Sequence, residues 1–128
     1  MRKGKMCAQA SHASMAFLTK GGRIVSENFT DDSADGYYHI FWNRPLQIDV
    51  AEIDHWLNNS FRKICVYVNS EEELDELHRK ALDNGLISHM ITDNGATEFN
   101  GVLTKTCIAI GPNWDDKFIG ITDDLPLL

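Results

Sequence analysis

No stretch of this 128-residue sequence stays apolar for long. A bilayer-spanning helix needs at least ~18 such residues in a row, so no membrane segment is expected. The basic start Met1-Arg2-Lys3-Gly4-Lys5 does not lead into a signal-peptide core, because Gln9, Ser11 and His12 make the next residues too polar. The expected location is the cytoplasm. Cysteine is scarce and odd in number: Cys7, Cys65 and Cys107 form no Cys-x-x-Cys pair and stand near no histidine at zinc-finger spacing. That argues against a disulfide framework or a structural zinc. Cys65 and Cys107 lie in apolar runs and read as small core residues, and Cys7 also reads as structural. Also missing are a Gly-x-x-x-x-Gly-Lys phosphate loop, a Gly-x-Ser-x-Gly elbow and a His-Glu-x-x-His pair, so nucleotide hydrolysis and zinc proteolysis lose support.

What is present fits one domain spanning residues 1–128, since two cores in so short a chain would each be too small. The apolar fraction of 43% and the charged fraction of 24% are those of a soluble globular protein. The net charge of −7 speaks against a strong nonspecific nucleic-acid binder, but the charges are unevenly placed. Arg2, Lys3, Lys5, Lys20 and Arg23 fall in residues 1–26 with no acid among them, while the remainder carries all 19 Asp and Glu. This is either a solvated basic face or a small phosphate-contacting patch on an acidic body.

The pattern permits a helix from Gly4 to about Lys20, with Met6, Ala10, Ala13 and Phe17 as its apolar stripe and Gly21-Gly22 as a stop. Residues 26–45 read as an acidic turn-rich loop, Thr30 to Gly36, followed by an aromatic packing patch, Tyr37 to Trp42. A short amphipathic helix is expected from near Asp49 to Asn58-Asn59, with Trp56 in the core. Arg62–Val68 reads as a buried strand, and Ser70 with Glu73 as the cap of a helix buried through Leu74, Leu77, Ala81 and Leu82 and ended by Gly85. Strands follow at His89–Asp93 and Thr106–Gly111, then a short helix from Asn113 toward Ile119.

Three places carry residue types suited to chemistry. Lys5, Gln9 and His12, at i, i+4 and i+7, share one helix face, where a cation, an amide and an imidazole would meet a phosphate or polarise an ester carbonyl; the plainer reading is a solvated polar face. Asp93, at a strand end, is followed by Asn94-Gly95-Ala96-Thr97, which is either a site turn or an ordinary Asx turn. Thr104 and Thr106 face one side of their strand and Lys105 the other.

The run from Lys3 to Ala13 resembles the Gly-Lys-x-x-x-Gln-x-x-His-Ala helix of the type 2 peptidyl-tRNA hydrolase family. Asp93-Asn94-Gly95-Ala96-Thr97 and Thr104 to Pro112 resemble that family's Asp-x-Gly-x-Thr turn and its last strand, ending in Ile-Gly-Pro, in the same order. The resemblance covers most of the chain, with residues 23–60 more individual, and suggests a bacterial or phage-like member. It implies an α/β fold, a three-layer α/β/α single domain with a small mixed sheet. It also implies a carboxylic ester hydrolase that frees tRNA from a stranded peptidyl or N-blocked aminoacyl group, with no cofactor and no metal. Its partner would be peptidyl-tRNA, with no membrane and with homodimerisation left open. Carried over by position, Lys5, Asp93, Thr97 and Thr106 are the catalytic group, with Gln9 and His12 in the same cleft. Arg2, Lys3, Lys20, Arg23 and Lys105 are the expected tRNA contacts. Two departures stand out: Ala96 replaces a basic residue found in many relatives, and the family's apolar strand ahead of the first helix is missing. Met1 is then an internal methionine of a longer protein, or Gly22–Val25 substitutes in part, or the domain is a remnant. The rival readings are a noncatalytic tRNA- or protein-binding module of the same fold and a small-ester hydrolase unrelated to tRNA.

Overall fold

A computed structural model describes residues 1–20, 22–27, 37–42 and 50–128, of which 22–27, 37–42 and 50 are described by backbone alone. The acidic segment 30–36 and Pro45 lie outside the described residues. The elements are α1 (Lys3–Thr19), β1 (Gly22–Glu27), β2 (Tyr37–Trp42), α2 (Val50–His55) running on as a π-helical turn (Trp56–Ser60), α3 (Glu71–Asp83), β3 (Ser88–Asp93) and β4 (Thr104–Ile110). One 3-10 turn precedes β4 (Phe99–Gly101) and another follows it (Asp115–Phe118).

The strands form two antiparallel pairs, β1 with β2 and β3 with β4; among the described residues there is no parallel pairing of the kind a mixed sheet requires. The aromatic run Tyr37–Trp42, expected as a loop patch, is thus a strand, as its β-branched and aromatic content favours. Gly22–Val25 is also extended, but it is registered with residues 39–42 and not with β3 or β4.

The β3–β4 pair organises the core. On one side Ala13 and Ala16 of α1 pack with Ile91, Cys107 and Ala109. A second cluster joins Ala81, Leu86 and Ile121 with Leu77, Ile110 and Phe118, so neighbours on β4 serve different helices. The small residues of α1 let its backbone lie close to the strands. Its buried face is Gln9, Ala13, Ala16 and Phe17, which corrects the expected stripe: Ala10 is exposed and Gln9 takes the inward position one turn before Ala13. Helix α3 has the expected cap. Ser70 Oγ accepts from Glu73 N at 3.1 Å, and Glu73 Oε2 reaches back to Asn69 N at 2.7 Å. Gly85 stands at φ 76°, as its place after the helix predicts, while Leu82 is exposed.

The strand expected at Arg62–Val68 does not form. Among the described residues only one antiparallel bridge, Val66 with Leu127, is made there, with Tyr67 N donating to Pro126 O and Leu128 N to Cys65 O. Without a full ladder on either side the segment lies open: Ile64 and Tyr67 are exposed, and Cys65 is exposed rather than buried. Cys7 is exposed as well, while Cys107 is partly buried, as expected. Trp56 is half-buried, its ring edge-on to Phe17 at 5.6 Å and its indole N–H donating to Arg62 O. Among the described residues no helix is long and apolar enough to cross a membrane.

Candidate active site

Packing α1 across β3 and β4 sets the polar face of the helix over the C-terminal end of β3. Lys5 Nζ donates to Asp93 Oδ2 at 2.5 Å and to Thr97 Oγ1 at 2.9 Å. Gln9 Nε2 donates to the same Asp93 oxygen at 3.2 Å, and Gly95 N donates to Oδ1 at 2.8 Å. Lys5 and Asp93 side chains are only 15% and 10% exposed, so this ion pair works at reduced dielectric. The hydrogen bond from Lys5 foremost, then that from Gly95, holds the Asp93 carboxyl below its ordinary value of 3.8, with His12 adding to the effect. Asp93 is therefore ionised throughout the neutral range.

Thr106 reaches this group through an irregularity in the sheet. Ile91 pairs with Cys107 and Thr92 with Lys105, which leaves Thr106 as an extra residue in β4. The bulge turns both Thr106 and Cys107 toward α1. Thr106 Oγ1 donates to Gln9 Oε1 at 2.6 Å, and Cys107 Sγ donates to Gln9 O at 3.4 Å. Because Thr106 takes the amide oxygen, the amide nitrogen of Gln9 must face Asp93. Burial raises the Cys107 thiol, which keeps it protonated and unreactive.

The turn after β3 is built on Gly95, at φ 78°, with Gly101 N donating to Gly95 O at 2.9 Å. A Cβ on residue 95 would lie 2.6 Å from both Val102 N and Val102 O. Gly95→Ala should therefore push the two arms of the turn apart, costing about 1–3 kcal/mol of stability from the combined clash and left-handed backbone. Denaturant unfolding checks the stability, and loss of activity out of proportion to it would report the displaced Thr97.

Two adjoining cavities open on the cluster. One, of about 590 Å³, is lined by Arg2, Gly4, Lys5, Ala8, Gln9, His12, Asp93, Thr97 and Glu98. The other, of about 320 Å³, runs past Gln9, His12, Lys20, Ile91, Thr92, Asp93 and Asn94. Lys5, Gln9, His12, Asp93, Thr97 and Thr106 are thus brought together. Of the expected phosphate contacts, Lys3 is exposed, and Arg2, also exposed, donates from Nε to Glu98 at 2.9 Å. Lys20 donates to Met90 O at 2.5 Å, and the side chain of Arg23 lies outside the described residues. Lys105 is not brought to the site: both oxygens of Asp75 on α3 hold it at 2.8 Å, on the other side of the pair. Thr104 Oγ1 turns to Val102 O. Glu98 was missed by the sequence reading, which offered only a lone acid beside Thr97 as a signal; Arg2 lowers its carboxyl in turn. Among the described residues no group of three His, Cys, Asp or Glu side chains is close enough to hold a metal ion.

Ammonium, ionised carboxylate, amide and hydroxyl around an open cleft suit attack of water on an acyl group, with the ammonium facing the developing oxyanion. Comparison with known proteins agrees with that chemistry. The family described as "Peptidyl-tRNA hydrolase PTH2" matches residues 1–128. The chain is 34% identical over 128 residues to a peptidyl-tRNA hydrolase of Methanocaldococcus jannaschii, covering 100% of this chain and 90% of that protein. It is 33% identical over 125 residues to one of Nanoarchaeum equitans, covering 98% and 87%. It is 32% identical over 128 residues to one of Sulfolobus acidocaldarius, covering 100% and 90%. These relatives are archaeal rather than bacterial or phage-like.

Proposed function

The chain belongs to the PTH2 family of peptidyl-tRNA hydrolases, and from that premise we propose how its side chains divide the work. The chain is a peptidyl-tRNA hydrolase: it cleaves the ester between a peptidyl group and the 3′ end of tRNA. The observation that carries the reading of the site is the Lys5–Asp93–Thr97 group, joined by Gln9, at the wall of the larger cavity.

Asp93 acts as an anchor more than as a base. Its lowered pKa makes it a weak proton acceptor, and both its oxygens are already engaged, so its part is to fix Lys5 and Gln9. Water adds to the ester carbonyl carbon, and the negative charge that grows on the carbonyl oxygen is met by the Lys5 ammonium. Collapse of that tetrahedral species breaks the bond to the ribose oxygen, which leaves with a proton ultimately supplied by the attacking water. Thr97, whose oxygen accepts a hydrogen bond from Lys5, keeps its own hydroxyl hydrogen for a water or the terminal ribose. Thr106 acts through Gln9, and His12 lines both cavities where a proton must pass.

Arg2, which lines the larger cavity, and the exposed Lys3 beside it supply the phosphate contacts; Lys105, held by Asp75, is left out. The wider reading is a three-layer α/β/α domain with a mixed sheet acting in the cytoplasm. Incubation of the chain with peptidyl-tRNA should release free tRNA. Since phosphate contacts release counterions, the logarithm of KM should rise with the logarithm of salt concentration, and the slope should fall by about 1 in Arg2→Ala. A folded chain giving no release would overturn the reading.

A further inference from the structure

The mechanism above places no part of the substrate in the smaller cavity. It runs along the outer edge of β3, from Ile91 to Asn94, against α1 and Lys20. Among the described residues β3 is paired on one side only, by β4. In an antiparallel pair the backbone groups of successive residues point alternately to the partner and away. Gly111 N donates to Ile87 O, and the register continues with His89 opposite Ala109 and Ile91 opposite Cys107, so the odd-numbered residues face β4. Met90 and Thr92 therefore direct their amide and carbonyl groups outward. The Lys20 ammonium already sits on the Met90 carbonyl, as expected for an outward group. Thr92 remains, facing the cavity, one residue before Asp93.

We propose that this edge holds the peptide part of the substrate as an added strand, hydrogen-bonded to Thr92 N–H and C=O. This rests on the hydrolase reading and names the subsite beside its reacting group. Gln9, His12 and Asp93 line both cavities, so a peptide lying on the edge is continuous with the ester over Lys5. The scissile carbonyl is the C-terminal end of the peptide, and β3 runs toward the site, so the added strand is parallel to β3. Main-chain pairing reads no side chain, which suits a hydrolase whose substrates differ in peptide sequence. Lys20 closes the slot at Met90. From Met90 to Asp93 is about 10 Å of strand, room for roughly three peptide residues.

The test compares tRNA bearing one, three and six acylated residues, using the native chain throughout. kcat/KM should rise about tenfold from one residue to three, the worth of one or two backbone hydrogen bonds, and then level off at six. Replacing the amide N–H that faces Thr92 C=O by an ester oxygen in the three-residue substrate should return kcat/KM to near the one-residue value. In Thr92→Pro, which deletes the outward donor at an edge position, the three-to-one ratio should fall toward one. Equal rates at all three lengths, or an ester substitution without effect, would overturn the subsite. The one-residue substrate separates the two readings, since its turnover survives failure of the subsite but not failure of the hydrolase assignment.

Discussion

Asp93→Asn should lower kcat by about 100-fold or more while leaving the chain folded, the range seen when one preorganised charge-stabilising group is lost. Asparagine has the same shape and can still accept from Gly95 N, but it offers only one acceptor oxygen for the three donors that converge there. If that oxygen serves Gly95, an amide N–H faces the Lys5 ammonium, and two donors repel. Lys5 then swings toward Thr97 or solvent, away from the ester oxygen. The pH dependence gives a second readout. Because the native carboxyl lies below its ordinary 3.8, the acid limb that Asp93 contributes to kcat/KM should fall below pH 3.8, and it should vanish in Asp93→Asn. Stability follows the same sign. A carboxyl lowered by folding contributes stability that is present above its unfolded pKa and fades as pH falls through the lower folded value. The gap in Tm between native chain and Asp93→Asn should therefore narrow below pH 3.8.

The site residues were legible because the helix and the turn each obey a simple spacing. Lys5, Gln9 and His12 had to share a face once residues 4 to 20 were helical, and Asp93-Asn94-Gly95 had to turn. What joins the two blocks was not legible. Gln9 looked like part of a solvated face, yet it is 4% exposed, since Ala10 faces out and the inward line runs Gln9, Ala13, Ala16. A helix with few large apolar residues carries too weak a pattern to fix its rotation. The bulge at Thr106 was equally hidden, because an inserted residue shows only in pairing. It explains why Thr106 and Cys107, neighbours in sequence, both meet Gln9. Lys105 illustrates the converse. Its strand position puts it opposite the threonines, and that side carries Asp75, which holds its ammonium away from the site.

The largest error in the fold, the strand at Arg62–Val68, has a related cause. The run of Ile64, Cys65, Val66 and Val68 has strand composition, but a strand needs a neighbour for its backbone groups. Among the described residues the neighbour present is the last few residues, which supply the two hydrogen bonds of a single bridge. Composition reports what a segment tolerates; pairing decides what it becomes.

Lys5→Met should cost activity on the same scale as Asp93→Asn, about 100-fold or more in kcat, and the loss should fall on kcat rather than KM. Methionine reproduces the lysine side chain as far as Cε, so the change removes the ammonium with little change in volume. If the ammonium serves the oxyanion, it acts only as the tetrahedral species forms, and substrate affinity is spared. If it instead held a tRNA phosphate, KM would rise, the salt slope would fall by about 1, and kcat would stay near native. Removing Lys5 also takes away the largest cause of the lowered Asp93 pKa, so the acid limb of any residual activity should move up from its native position. The double variant Lys5→Met with Asp93→Asn decides whether the two act as one unit. Independent groups would multiply their losses to about 10,000-fold, whereas an anchor and the group it anchors should lose little more together than either loses alone. The two short hydrogen bonds that tie Lys5 to Asp93 and Thr97 argue for the second result.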